Sequence, residues 1–325
     1  MTVTHDSTPA TFDQAASVVA AILAEVGRAV VGKDEVLELI VAALVADGHV
    51  LLDDVPGVAK TLAARSIATA AGLDFSRVQF TPDVLPADIT GSLVLDLATR
   101  TPEFRQGPVF TNLLLADEVN RAPAKTQAAL LEAMQERQVT ADGTTYPLPR
   151  PFLVIATQNP IESEGTYPLP EAQLDRFLLR TTMGYPRESD ELKILLDRVE
   201  RRTDEVELRA VCDASTFRAV QRALENIHVE HRLLEYCVSL VRSTRGEAQL
   251  AVGSSPRGTL ALVKMARASA LLDGREFVSP DDVRRMAVPT LAHRVVLSDD
   301  AWARRVDPED VVRRAVDRIP APASE

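Results

Sequence analysis

Cysteine is almost missing from this sequence: Cys212 and Cys237 are the only two in 325 residues. They offer neither a disulfide framework nor a zinc pattern. His228, His231 and Cys237 lie near one another in the chain, but no fourth ligand or second cysteine accompanies them. Exposed histidines and a packed cysteine are therefore expected there instead of a metal site. Positive charge is also scarce, with 36 Lys and Arg against 47 Asp and Glu and a net charge of −11. That balance disfavours a protein that coats duplex nucleic acid, which needs a basic face to neutralise phosphates. It leaves room for a local basic site. No apolar run is long enough to cross a bilayer: VLELIVAALVA is broken by Glu38 and stops at Asp47. The opening MTVTHDSTPATFDQAAS has no basic start and no apolar core, so it does not read as a secretory signal. These absences together predict a reduced, cytoplasmic protein.

What is present is an ordinary globular composition, 46% hydrophobic and 26% charged, in a chain long enough for two domains. As far as Met183 and Gly184, short apolar runs (HVLLDD, RVQFT, NLLLADE, FLVIATQ, FLLRTTM) alternate with Ala/Leu-rich helical segments such as KTLAARSIATAAG and PAKTQAALLEAMQER. Nearly continuous apolar runs suit strands buried on both faces of a parallel sheet. The alternation predicts a three-layer α/β domain. Two stretches interrupt it: SLVLDLATRTPEFRQGPVF, which alternates around a polar turn, and QVTADGTTYPL, whose Asp-Gly between alternating residues predicts a hairpin. Beyond Tyr185-Pro186 the strand pattern ends. Amphipathic segments such as ESDELKILLDRVERR and RLLEYCVSLVRSTR predict an all-helical second domain. SPDDVRRMA adds a serine cap, a proline at the first helical position and early acids. The last residues, PAPASE, read as a frayed end.

HVLLDD runs into DVPGVAKT, which runs into a helix. A strand, a loop and a helix in that order are what a phosphate-binding loop requires, because backbone N–H groups and the helix N-terminus must face the anion. Two glycines of the general pattern G-x-x-x-x-G-K-[ST] are missing, replaced by Asp54 and Ala59. Aspartate tolerates positive φ, so Asp54 can fill a turn position if its carboxylate faces away from the phosphates. Ala59 adds a methyl where the backbone must approach the ligand, and Pro56 and Gly57 remain for the turn. Lys60 falls in the first helical turn, where a cation opposes the macrodipole unless an anion lies there. It would contact the β/γ oxygens, and the Thr61 hydroxyl would bind Mg²⁺. An ordinary strand-to-helix turn is the competing reading.

Further groups suit a magnesium nucleotide. NLLLADE ends a buried strand in Asp117, placed for Mg²⁺, and Glu118, placed to activate water. A strand simply ending in solvated acids is the plainer account. FLVIATQNP ends another strand at Asn159, which could hold water or a terminal phosphate, although Asn-Pro is also a turn signal. Arg176 lies between Asp175 and an apolar strand, either as a local ion pair with Asp175 or Glu171 or as an arginine finger reaching a neighbouring subunit. Arg257 in SSPRG opens a helix with a cation in its first turn, again explicable by a phosphate or by solvent.

Taken together, VVGKDEV, GHVLLDDVPGVAKT, VQFTPDVLPADITG, LLLADEVNRAPAKTQAALLEAMQERQVT, FLVIATQNPIESEGTYPLPEAQLDRFLLR and GSSPRG resemble the MoxR branch of the AAA+ ATPases, covering most of 30–184 and part of the helical region. The resemblance implies a P-loop αβα core with a five-stranded parallel sheet, followed by a smaller all-helical lid. It divides the chain into an N-terminal helical extension (1–28), an ATPase core (29–184) with helix-2 and pre-sensor insertions, and a lid (185–325). It also implies ATP and Mg²⁺ as ligands. Val55, Pro56, Gly57, Val58, Ala59, Lys60, Thr61 and Leu62 would form the phosphate loop. Val31 and Gly32 would lie beside adenine, Thr61 and Asp117 at the metal. Glu118, Asn159 and Arg176 would be catalytic, as Walker B base, sensor 1 and arginine finger, with Arg257 as sensor 2. Acidic and alanine substitutions at the two loop positions occur within this branch. The family further implies a homo-oligomeric ring, a hexamer, that works as a chaperone on client complexes or in metal cofactor insertion, with a separate von Willebrand factor A domain protein. Competing readings are a nucleotide switch or scaffold with little hydrolysis, and a magnesium-chelatase-like or helicase-like motor. The helicase reading suffers from the net charge and from a hairpin, QVTADGTTYPL, without Lys or Arg.

Overall fold

The computed structural model describes residues 9–96, 100–160 and 165–322. The first residues of the opening segment, the turn at 97–99 in the first insertion, residues 161–164 and the last three residues lie outside that range.

All five apolar runs become strands of one parallel sheet: β1 (Val50–Asp53), β2 (Phe75–Gln79), β3 (Leu113–Asp117), β4 (Leu153–Gln158) and β5 (Leu179–Thr181). Their spatial order is β2-β3-β4-β1-β5. Each central strand is apolar on both faces because both faces are covered. Val50, Leu52, Leu113, Leu115, Leu153 and Ile155 face one core, with the helices Phe12–Gly27, Asp34–Val45 and Lys60–Ala70. Leu51, Leu114, Ala116, Val154 and Ala156 face a second, with the helix Ala124–Glu136. The strict alternation of neighbours between two cores fixes the register, since a one-residue slip would exchange the faces.

The two interruptions are antiparallel hairpins, Gly91–Asp96 with Thr101–Gln106 and Gln138–Ala141 with Thr144–Pro147. Asp142 and Gly143 turn the second with φ of 48° and 77°, both positive as a two-residue hairpin turn demands. Phe104 stacks on Tyr146 with centroids 4.0 Å apart, joining the two hairpins.

After Tyr185 the chain is helical, from Glu188–Arg201 to Pro308–Asp317. Ser255 caps Pro256–Leu272 and Ser279 caps Pro280–Leu291, each with proline at the start. One feature goes unforeseen, a small antiparallel pair between Leu250–Val252 and Val296–Leu297, too short to leave a period in the sequence. The core does not stop at the sheet's helices: Phe217, Leu262 and Met286 belong to the cluster that contains Val50 and Leu52. The helix Phe12–Gly27 buries Ala15, Val19, Ile22 and Val26 in that cluster and packs on both Lys60–Ala70 and Pro256–Leu272. It thereby ties the sheet to the C-terminal helices.

Candidate functional site

The loop between β1 and its helix keeps one glycine in the left-handed region, Gly57 at φ 88°. Ala59 occupies the same region at φ 64°, ψ 22°, as the residue that opens the helix Lys60–Ala70. An L-residue gives up roughly 1–2 kcal/mol to sit there, so the missing second glycine is met by strain. Asp54 differs from expectation, since it is not among the positive-φ residues. Its role is in its side chain. The buried carboxylate accepts the backbone N–H groups of Met183 and Gly184. From the other side, Lys33 Nζ donates to the carbonyls of Met183 and Gly184 at 2.8 and 2.9 Å. Asp54 and Lys33 thus grip the segment that leads from β5 into the C-terminal helices, and the carboxylate is turned out of the loop.

Lys60 Nζ donates to the Asp54 carbonyl at 2.8 Å and is buried in the loop it closes. Val58 is buried in the main core and anchors the loop, while Pro56, Gly57 and Ala59 are exposed and Thr61 is half-buried. On the far side of the helix, Val31 and Leu62 line a cleft of about 450 Å³ with Ile194 and Arg201. Gly32 has φ 71°, and a Cβ there would lie 2.4 Å from the Asp190 carboxyl carbon. Only glycine fits both demands.

Strand pairing sets the remaining groups beside the loop. Asp53 is paired with Gln158 and Gln79 with Asp117, so Asp54, Asp117, Glu118 and Asn159 all follow the C-terminal ends of adjacent strands. Ligands of open parallel sheets bind at that edge. Asp117 is buried, and both its oxygens are engaged. Thr157 Oγ1 donates to Oδ1 at 2.6 Å, and Arg77 Nη2 and Nε donate to Oδ2 at 2.7 and 3.2 Å. Glu118 takes φ 57°, a strained conformation for its type. Its N–H donates to Thr157 Oγ1 at 2.8 Å, and its Oε2 accepts from Gln79 Nε2 at 2.8 Å and Arg121 Nη1 at 3.1 Å. Asn159 is buried, and its carbonyl accepts from Asn120 Nδ2 at 3.4 Å.

Arg176 and Arg257 lie elsewhere. Both line a cleft of about 300 Å³ with Gly48, His49 and Leu178, before β1 and β5 begin. The loop begins only where β1 ends. Four residues of strand lie between, about 13 Å at ~3.3 Å per residue. The structure therefore unites Lys60, Thr61, Asp117, Glu118 and Asn159 at one end of the sheet, Val31 and Gly32 beside them, and Arg176 with Arg257 at the other. A cofactor-binding role for Arg257 toward its own chain's loop does not fit this placement. Among the described residues Arg176 forms no ion pair with either of its two candidate partners, Asp175 and Glu171. Asp175 is taken by Arg294 and by Arg257, the latter at 3.6 Å. Arg294 is buried and also donates to the carbonyls of Thr290, Asp175 and Phe177 at 2.8, 2.8 and 2.6 Å.

Two buried histidines brace this end. His49 accepts the Val154 N–H at Nδ1 and contacts the Met134 carbonyl at Nε2, so it is a neutral donor–acceptor. Burial, then Arg137, lowers its pKa to about 4. His293 contacts the Phe177 carbonyl, and burial, then Arg294, lowers its pKa to about 3.

Arg77, Gln79, Arg121 and Thr157 were not legible as site residues. The one available signal was Arg77 and Gln79 two apart on a strand, which puts both on one face.

Known proteins resemble the chain in sequence and in fold. The ATPase family associated with various cellular activities (AAA) matches residues 49–179, and an AAA lid domain matches 242–315. Chaperone MoxR1 of Mycobacterium tuberculosis is 44% identical over 307 residues, 92% of this chain and 81% of that protein. The uncharacterised Bacillus subtilis protein YeaC is 46% identical over 298 residues, 91% of this chain and 92% of that one. A crystal structure of a candidate ATPase from Cytophaga hutchinsonii superposes with a TM-score of 0.89 at 36% identity, covering 96% of this chain and 97% of that one. A magnesium-chelatase subunit of Cereibacter sphaeroides aligns over only 56% of the chain at 28% identity.

Proposed function

The chain belongs to the MoxR family of AAA+ ATPases, and we propose that it hydrolyses MgATP at sites completed between copies of itself, using the energy as a chaperone of partner protein complexes. The observation that carries this reading is the convergence of Lys60, Thr61, Asp117, Glu118 and Asn159 at the C-terminal edge of β1, β3 and β4. Residues 29–184 act as the ATPase core and 185–325 as the lid that carries Arg257.

Residues 55–62 hold the triphosphate, with loop N–H groups and the helix N-terminus supplying positive potential. Lys60 leaves the Asp54 carbonyl for the β/γ oxygens. The donor set fits Mg²⁺, a hard cation that takes oxygen, because it consists of the Thr61 hydroxyl and the Asp117 carboxylate. Bound Mg²⁺ neutralises charge on the transferring phosphoryl group. Glu118 accepts a proton from the attacking water, and Asn159 orients that water against the terminal phosphate. Val31 and Gly32 border the base. Arg176 and Arg257 act on the nucleotide of a neighbouring copy, since their own loop lies a strand's length away. Such an assembly repeats head to tail and closes into a ring, six-membered in this reading. Chaperone activity is supported by the name of the Mycobacterium tuberculosis relative. The client, and a separate von Willebrand factor A domain protein as adaptor, are to be sought by affinity capture with Glu118→Gln, which holds ATP without turnover.

The test is complementation. Arg176→Ala should bind ATP normally and hydrolyse it on the order of 10³-fold more slowly, as for arginine fingers elsewhere. Lys60→Ala should bind poorly. Mixed, the two should recover part of the phosphate release, because an intact loop in one copy meets an intact arginine in the next. No recovery across mixing ratios, with mixed assemblies verified by mass, would refute completion in trans.

A further inference from the structure

The chain is acidic overall, with a net charge of −11, yet one cavity gathers cations from four segments. Arg137 ends the helix Ala124–Glu136, and Arg150 precedes β4. Arg218 and Arg222 lie one turn apart on the helix Ala214–Ala223, and Lys264 belongs to Pro256–Leu272. All five line a cavity of about 200 Å³ at the N-terminal end of the sheet, between the turn before β1 and the C-terminal helices. The acids that line it are Asp47 and Glu225, and both already have partners. Arg137 Nη2 lies 2.6 Å from Asp47 Oδ2, and Glu225 pairs with Arg267, which is outside the lining. Among the described residues, Arg150 and Lys264 make no hydrogen bond and no ion pair.

Like charges drawn together from distant parts of a chain repel, and two on one helix face four residues apart are unfavourable as well. The crowding shows at Arg150. Burial, then Arg137, lowers its guanidinium pKa, with Arg218 acting in the same direction and Asp47 against it. An anion in the cavity would turn this repulsion into attraction. We propose that the cavity binds a compact, multiply charged phosphoanion of the pyrophosphate class. Three features select it. The volume is below the roughly 300–1,000 Å³ of sites for drug-sized ligands, which leaves no room for a base and ribose. Five cations against two engaged acids call for more than one negative charge. Four of the five are arginines, and they arrive from separate segments. A planar carboxylate meets a guanidinium fork in one plane, whereas tetrahedral phosphoryl groups offer oxygen acceptors in several directions. The cavity shares Arg137 and Lys264 with the cleft of Arg176 and Arg257 but contains neither of those arginines. It lies at the opposite end of β1 from the phosphate loop, so both sites can be filled together. A bound anion fastens the sheet-end turns to the helices Ala214–Ala223 and Pro256–Leu272 within a single copy.

The test is titration calorimetry of pyrophosphate into the full chain carrying Lys60→Ala, in EDTA and at constant ionic strength. Under those conditions neither the phosphate loop nor a metal contributes. One equivalent should bind. Adding Arg150→Gln/Lys264→Gln, at two exposed positions, should raise the dissociation constant on the order of a hundredfold, about tenfold for each charge-assisted contact. The melting temperature should climb with pyrophosphate in the first protein and stay level in the second. Placed in the otherwise unaltered chain, the same pair should leave basal phosphate release and the ligand-free melting temperature as they were. Arg176→Ala/Arg257→Ala should keep pyrophosphate affinity within a few-fold. Citrate should bind on the order of tenfold more weakly than pyrophosphate.

Absence of binding, or an affinity unmoved by Arg150→Gln/Lys264→Gln, would overturn the proposal. So would loss of binding on Arg176→Ala/Arg257→Ala, which would put the anion in the adjoining cleft. Citrate as tight as pyrophosphate would overturn the assignment to a phosphoanion. Equal thermal stabilisation by chloride at matched ionic strength would reduce the effect to screening and overturn it too. None of these outcomes depends on assembly or on turnover of ATP.

Discussion

The two ends of the central sheet are built on opposite plans. At the C-terminal end, the polar groups are held by the chain's own neighbours: Asp54 by Met183 and Gly184, Asp117 by Thr157 and Arg77, Glu118 by Gln79 and Arg121. At the N-terminal end, half-buried Arg176 and exposed Arg257 lie beside half-buried Asp175 and the buried Arg294, His49 and His293. The first end is organised in a single copy. The second presents cations whose counter-charge within the chain is mostly committed elsewhere. A site divided in this way couples chemistry to assembly, because neither end suffices alone.

The comparison can be broken most severely at the frame of the arginine end. Asp175→Asn leaves the buried Arg294 without its carboxylate, and removing one partner of a buried pair typically costs about 3–5 kcal/mol. Since Arg294 keeps three carbonyl acceptors, a loss of about 3 kcal/mol is expected, read as a lower urea midpoint with ATP affinity nearly intact. The same removal made at the loop end should behave differently, lowering ATP affinity directly.

Acid should act next, again through the arginine end. His49 and His293 are neutral in the fold, with pKa values near 4 and 3, and return to ~6.5 on unfolding. Their folded values are depressed, so the unfolded chain binds more protons below pH 6.5 and stability falls with pH. At pH 5 each should have given up about 2 kcal/mol relative to pH 7.5, still short of the loss completed at the folded value. Thermal melts between those pH values test this, and His49→Gln should flatten the profile. A melting temperature level from pH 7.5 to 5 would count against neutral buried histidines.

The smallest effect belongs to the loop. Ala59→Gly should relieve the left-handed strain while loosening the unfolded chain, for a net stabilisation of about 1 kcal/mol or less. ATP affinity should stay within a few-fold. A destabilised variant would mean that the Ala59 methyl contributes contacts worth more than the strain.

Much of this was open to reading along the chain. The central strands of the sheet stood out as apolar runs because both their faces are buried, and the Asp-Gly turn and the serine caps of Pro256–Leu272 and Pro280–Leu291 are local chemistry. Lys60, Thr61, Asp117, Glu118 and Asn159 were legible because each closes or follows a strand, and parallel strands bring such ends together. Arg77, Gln79 and Thr157 were not, because their partners are 39 or 40 residues away and are brought beside them only by strand pairing. The exposed stripe on Glu188–Arg201 shows the same limit: its spacing announced an amphipathic helix, but not that its apolar side would stay in solvent.

By itself, then, the sequence determined which segments are strands and helices and which side chains cap the strands, since periodicity and capping act over a few residues. Only the tertiary structure decided that Asp54 turns to the Met183–Gly184 segment instead of toward the loop, and that Ala59 bears the strain. It alone placed Arg176 and Arg257 a strand's length from the loop they resemble partners of. The turn of Asp54 depends on contacts with residues 129 and 130 positions away, and no local pattern encodes which end of a strand a distant side chain will reach.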